Sequence, residues 1–160
     1  LSSPTSRFED GRDGTATDKQ SKLMWMRCSI GQSWTEGTCA GQSSALTWAD
    51  AERAAKDLNK SGKLFYSDWR LPQLPELASI SERQCKSPRI NLEIFPRTAP
   101  DFFWSATSRP PGTANGPPGS AAAGSDTPDH FAFTLSFGPE GVSYTNKQEQ
   151  HDVRLVRSAR

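Results

Sequence analysis

The 160-residue sequence predicts an α+β domain, with short extended runs at both ends, two helical segments between them and no strand–helix–strand alternation. Three observations carry this prediction. "LTWADAERAAKDLN" has helical apolar spacing behind a capping Thr, "HFAFTLSF" alternates with a period of two, and twelve Gly with twelve Pro supply the frequent reversals of a loop-rich chain.

In chain order, "EDGRDGT" carries Asp-Gly turn signals after a short run. Asp10, Asp13 and Asp18 lack the spacing of an EF-hand loop, so no Ca²⁺ site is expected there. "KLMWMR" reads as a strand with Leu23, Trp25 and Arg27 on one face and Met24 and Met26 on the other, Trp25 serving as a core anchor. Cys28, Cys39 and Cys85 form no C-x-x-C pair and lie far from His130 and His151, which argues against structural zinc. A Cys28–Cys39 disulfide would close the polar loop "SIGQSWTEGT" and contribute about 3 kcal/mol. Cys28–Cys85 is the alternative, and the sequence does not choose between them. Either pairing implies an exported protein, and three buried thiols in a cytosolic protein is the remaining reading.

Thr47 precedes the first helix, with Asp50 in the position of a capping-box partner. Trp48, Ala51, Ala55 and Leu58 form its core stripe, while Glu52, Arg53, Lys56 and Asp57 face water and "NKSGK" ends it. "YSDWRLPQLPELASIS" then approaches in extended form and enters a second helix from about Pro75 to Gln84, since proline is tolerated in a first turn. Asp68 and Arg70 flank Trp69. A catalytic couple would need a base or nucleophile nearby and the segment offers none, so the expectation is a structural Trp69 held by an acid and an Arg70 paired with each other. "DFFWSAT", containing Trp104, has the aromatic density of a buried strand. Residues 109–128, "RPPGTANGPPGSAAAGSDTP", read as a surface-loop insertion within one domain spanning 1–160.

The last thirty residues predict a sheet. Phe131, Phe133, Leu135 and Phe137 make its core face, and His130, Ala132, Thr134 and Ser136 the opposite one. "GPEG" turns, "VSYT" returns, "NKQEQHD" connects and "VRLVR" closes.

The function classes narrow quickly. A net charge of +1 offers no nucleic-acid groove or polybasic membrane patch. No apolar run approaches the roughly 18 residues of a membrane span. No signal peptide is visible, and an opening at Leu1 reads as a processed or trimmed N-terminus. There is no G-x-S-x-G elbow, H-E-x-x-H pair or phosphate-cradling Gly loop, so neither an enzyme nor a cofactor or metal is expected. Short polar side chains around a Tyr make an adaptable contact surface instead. Ser143, Tyr144, Asn146, Lys147, Gln148, Gln150 and His151 are the candidate ligand contacts, with a cationic patch from Lys147, Arg154 and Arg157 beside them.

"DGTATDKQSKLMWMRC", "GQSW…TC", "LTWADA", "SDWRLPQLPEL", "INLEIFP", "FWSAT" and "VRLVRS" occur in that order over about 7–158. In this series the chain resembles the C-terminal domain family of the Legionella collagen-like adhesin. The resemblance implies a C-type-lectin-like fold, two helices packed on antiparallel sheets with the first and last strands close together. It implies a secreted, cell-surface or periplasmic bacterial protein that binds a glycan or protein ligand, with a homotrimer among the assemblies expected. Relatives with variable C-terminal segments in diversity-generating retroelements imply a display segment at about 132–151. An assembly module of a pilus, fibre or envelope complex is the alternative. The Glu-Pro-Asn and Trp-Asn-Asp signatures of calcium-dependent sugar binding are absent, so chelation of a sugar through Ca²⁺ is not expected.

Overall fold

The computed structural model describes residues 3–62, 65–108 and 130–159, so the insertion at 109–128 lies outside the described residues. A 3₁₀ turn (Thr5–Arg7) leads into β1 (Phe8–Asp10), β2 (Thr15–Asp18), β3 (Leu23–Met26), β4 (Ser33–Thr35) and β5 (Thr38–Ala40). Helices α1 (Trp48–Ser61) and α2 (Leu74–Ser79) follow, then β6 (Phe102–Ser108), β7 (Phe131–Ser136), β8 (Val142–Asn146) and β9 (Val156–Ser158). All strand pairs are antiparallel. They make a four-stranded sheet β1-β2-β3-β9, a hairpin β4-β5 and a three-stranded sheet β6-β7-β8. The α+β class is therefore observed. The last strand joins the N-terminal strands in one sheet but does not meet the first: β9 pairs with β3, Leu23 opposite Ser158 and Trp25 opposite Val156, while β1 lies at the far edge.

Alternation along β3 and β9 sorts the apolar side chains into two cores. Leu23, Trp25 and Val156 join Phe95, Phe103, Leu135, Phe137 and Leu77 of α2 in one cluster. Met24, Met26 and Leu155 join Trp69, Leu71, Trp104 and Ala51 and Ala55 of α1 in the other. The adjacent residues Phe103 and Trp104, both fully buried, point to opposite cores. The sheets thus form a middle layer with one helix on each side.

Helix α1 forms as predicted. The Thr47 side chain accepts a hydrogen bond from the Asp50 N–H, and Gly62 closes the helix at φ 68°, the left-handed region where glycine carries no Cβ penalty. Helix α2 is shorter than expected. Gln73 caps it in a capping box with Glu76, but it ends at Ser79 rather than near Gln84. Ser81 leaves to bridge Ile90, the Glu82 N–H bonds the Arg89 carbonyl, and the buried Glu82 carboxylate accepts the Ser3 N–H. A helix continued through 84 would lose all three.

Trp69 is the anchor the sequence suggested, 2% exposed, but its flanking charges do not pair with each other. Arg70 grips Glu76 through two bonds of 2.7 and 2.9 Å, and Asp68 binds Arg157 at 2.6 Å. The Asn59 side chain both donates to the Trp69 carbonyl (2.9 Å) and accepts from its N–H (2.8 Å), tying α1 to this segment as a strand neighbour would. Trp25 and Trp104 are buried as expected, the Trp104 indole N–H reaching the Leu46 carbonyl at 2.7 Å. Cys28 and Cys39 form the disulfide; Cys85 is a free thiol.

Two carboxyls predict the acid response. Burial alone would raise the Glu76 pKa, but Arg70 and the Gln73 N–H outweigh it and hold the carboxyl below 4.5. Burial likewise opposes ionisation of Asp18, yet hydrogen bonds from Arg7, Ser21 and the Gln20 N–H keep it below 3.8. A folded pKa below the unfolded one gives stability that is complete above about pH 4.5 and disappears as pH falls through the folded value. Glu76→Gln is expected to flatten the acid limb of a stability–pH curve measured by urea titration. An unchanged limb would show that the Arg70 pair is energetically silent.

Candidate functional site

A concavity lined by three of the predicted contact residues lies at the N-terminal end of α1. It is a cleft of about 590 Å³, lined among the described residues by Thr47, Trp48 and Ala49, by Ser108 and His130, and by Asn146, Lys147 and Gln148. Three pieces of chain converge here because α1 starts against the end of β8: the Trp48 N–H bonds the Lys147 carbonyl at 3.1 Å, and the Lys147 N–H bonds the His130 carbonyl at 2.9 Å.

Local bonds fix the orientations. Trp48 is half-buried against the second core, and its indole N–H donates to the Ser105 carbonyl at 3.0 Å. The Lys147 ammonium sits 3.9 Å from the Trp48 ring centroid, a cation–π contact. The Asn146 side-chain carbonyl accepts the Gln148 N–H at 2.9 Å, and the Glu149 carboxylate accepts the Asn146 N–H at 3.1 Å. The turn after β8 is thereby shaped by its own polar groups. The lining offers an indole, two amides, two hydroxyls, an ammonium and an imidazole. Among the described residues it has no acid beside a nucleophile, and these groups suit recognition.

Of the seven predicted contacts, Asn146, Lys147 and Gln148 meet in this cleft. Gln150 and His151 line a separate depression of about 230 Å³ with Ala45, Asp101, Phe102 and Asp152. His151 is half-buried, edge-on to Trp104 at 4.8 Å and Phe102 at 5.8 Å. Burial lowers its pKa, with Glu149 opposing at 3.9 Å, so the neutral ring acts as packing. Ser143 and Tyr144 lie on β8 and line neither hollow. Tyr144 stacks on Phe133 at 4.7 Å and tilts against Phe131 at 5.4 Å.

Two expectations need correction. Phe131 and Phe133 are only half-buried, whereas Ala132 and Thr134 on the opposite face are fully buried. Both faces of β7 are covered, so alternation of residue type did not mark the drier one. The cationic patch does not exist either. Arg154 is fully buried and donates to the Met26 and Arg27 carbonyls and the Thr98 hydroxyl. Arg157, 9% exposed, is held by Asp68 with its guanidinium over the Tyr66 ring at 3.8 Å. Lys147 alone of the three reaches the cleft.

The sequence reading missed Trp48, Thr47 and His130 as cleft residues. Trp48 opens α1, and an indole at a first helical position lies at the rim of the apolar stripe rather than its centre; that was the available signal. Among the described residues no group of three or more His, Cys, Asp or Glu is placed to hold a metal ion, and no helix is long and apolar enough to cross a membrane. The three acids weighed for Ca²⁺ from the sequence are engaged elsewhere, Asp18 by Arg7, Asp10 by Arg27 at 3.1 Å and Asp13 by the Thr15 hydroxyl at 2.6 Å.

A search of curated proteins finds no match. The family model described as the Lcl C-terminal domain matches residues 14–157, nearly the full set of elements above. The match begins beside β2 and ends within β9, so it takes in the second core, the first apart from Phe8, and the cleft. The chain belongs to the Lcl C-terminal domain family, a family associated with a bacterial adhesin rather than with a known enzyme activity.

Proposed function

We propose that the chain is a single-domain, non-enzymatic binding module of a secreted or envelope-attached bacterial adhesin, with a C-type-lectin-like frame, and that it takes a glycan in the cleft at the start of α1. The observation that carries this is the fixed indole of Trp48 set among the amides of Asn146 and Gln148. A pyranose ring has an apolar C–H face that packs on an indole and a rim of hydroxyls that exchange hydrogen bonds with amides. The disulfide suits an oxidising compartment. The sugar is bound here by direct hydrogen bonds, without a bridging Ca²⁺.

A glycan array probed with and without EDTA tests the reading, and equal binding in both is expected. Gln148 is exposed and outside the cores, so Gln148→Ala is expected to weaken binding about 2- to 10-fold, the worth of one hydrogen bond, with no change in melting temperature. Retention of no glycan in either condition removes the sugar from the proposal.

A protein ligand is the second reading. It is favoured by the turn 146–150, whose exposed polar groups could serve a protein surface equally well. The display segment at 132–151 would then reduce to its outer part, because Ala132, Thr134, Leu135, Ser136 and Phe137 are core residues.

A further inference from the structure

The β7–β8 hairpin borders a recess at the end away from the Trp48 cleft. The recess measures about 220 Å³ and lies between α2, the segment 81–89 and the turn from β7 to β8. Ala78, Leu135 and Val142 supply its apolar wall, and Ser81, Arg83 and Arg89 its polar one. Leu135 and Val142 are cross-strand partners, so the ladder fixes that wall in place.

Arg89 is the exception among the arginines that the fold draws in. Arg7, Arg27, Arg70, Arg154 and Arg157 are buried or half-buried, and each donates to an oxygen of the chain. Arg89 is also half-buried, yet its guanidinium makes no hydrogen bond or ion pair among the described residues, and its Nε is shut away from water. Its backbone, by contrast, is fully engaged. The carbonyl accepts the Glu82 N–H at 2.7 Å, and the N–H donates to the Phe137 carbonyl at 2.5 Å. Main-chain bonds therefore bring this guanidinium to the recess, and no described residue uses it there. A buried donor without an acceptor is a cost that a small rotation onto a bound oxyanion would remove.

The surroundings are short of acid. Segment 83–89 contains Arg83, Lys86 and Arg89 and no carboxylate. Glu82 turns inward to accept the Ser3 N–H, and Glu140 lies beside Gly138, accepting the Ser136 hydroxyl at 2.8 Å. Its own N–H, then Ser136 and the Arg89 charge, hold the Glu140 carboxyl below 4.5, so it is ionised at neutral pH. Two guanidinium groups against this one carboxylate leave a single positive charge, which one monoanion balances.

We infer that this recess binds the carboxylate at the end of a peptide chain whose last residue is small and aliphatic. Arg83 and Arg89 take the carboxylate oxygens, as planar guanidinium groups do. The Ser81 hydroxyl donates to the same group, and Ala78, Leu135 and Val142 receive the terminal side chain. A dianionic phosphate would exceed the charge on offer. A uronate would press its ring hydroxyls against the apolar wall, where they find no partner. The volume of about 220 Å³ is below the roughly 300–1,000 Å³ of sites for drug-sized molecules and suits a single residue.

An NMR titration of the nitrogen-labelled full chain with N-acetyl-Gly-Val tests this. The Gly138, Gly141 and Val142 amides and the Arg89 Nε signal are expected to shift, while Asn146, Lys147 and Gln148 in the Trp48 cleft stay in place. The C-terminal amide of the same peptide should bind at least about 10-fold more weakly, the worth of one hydrogen bond to a charged group. Arg89→Gln should weaken binding by the same factor without lowering Tm, because the guanidinium bonds nothing described in the free fold. Arg83→Gln, at an exposed position, should also weaken it, and that readout serves if Arg89→Gln fails to fold. Inorganic phosphate, glucuronate and free valine are each expected to bind more weakly than the acetylated peptide. No shifts, shifts confined to the Trp48 cleft, equal affinity for acid and amide, binding that survives both substitutions, or tighter binding of any of the three small probes each overturns the proposal.

Discussion

Arg154→Ala is expected to lower the unfolding free energy by about 4 kcal/mol, the largest loss from any single side chain discussed above. The guanidinium is fully buried between the rings of Phe95 (4.7 Å) and Phe103 (5.6 Å), and it satisfies the Met26 and Arg27 carbonyls together with the Thr98 hydroxyl. Truncation leaves a cavity and strands acceptors that water does not reach, each costing about 1–3 kcal/mol. Burial pushes the Arg154 pKa down to about 9, with Asp152 offsetting part of that, so the group stays charged at neutral pH. Arg154→Met should recover the packing and not the hydrogen bonds, giving an intermediate loss. Urea titrations of the two variants test this, and a loss below about 1 kcal/mol for Ala would show that the carbonyls find other donors.

Reduction of the disulfide is the second large effect expected. The Cys28–Cys39 bridge spans a sequence separation of 11, and its loss should cost about 3 kcal/mol through the freedom returned to the unfolded chain. For a chain of this size that corresponds to a fall in Tm of about 6–12 °C. Cys39→Ser should reproduce the shift without reductant. Cys85→Ser, at a free and partly exposed thiol, should move Tm by little. Scanning calorimetry of the three proteins, with and without reductant, decides the matter, and a reductant effect surviving in Cys39→Ser would contradict it.

Much of the scaffold was legible because local rules governed it. Thr47, the Trp48–Leu58 stripe and the glycine after the helix acted together to give α1. Leu23 and Trp25 alternate with Met24 and Met26 because β3 has a core on either side. Less legible were features set by distant partners. Nothing near Arg70 announced Glu76 as its mate in place of Asp68, and α2 ended early for bonds to Ser3, Arg89 and Ile90. Arg154 looked like surface because arginine usually is, yet only a three-dimensional arrangement of carbonyls and rings makes its burial tolerable. The cleft was half visible. Asn146, Lys147 and Gln148 sit in a polar turn that marks itself, whereas Trp48 and His130 arrive from other parts of the chain.

The division of the interior by its sheets separates two duties. One chamber, closed by α2, is filled with Phe, Ile and Leu side chains around Trp25. The hollow beside Trp48 opens onto the other, across a septum of paired backbone. Side chains around its mouth can be exchanged without reshaping the chamber under α2, which gives the molecule latitude to retune what it grips while its frame stays fixed.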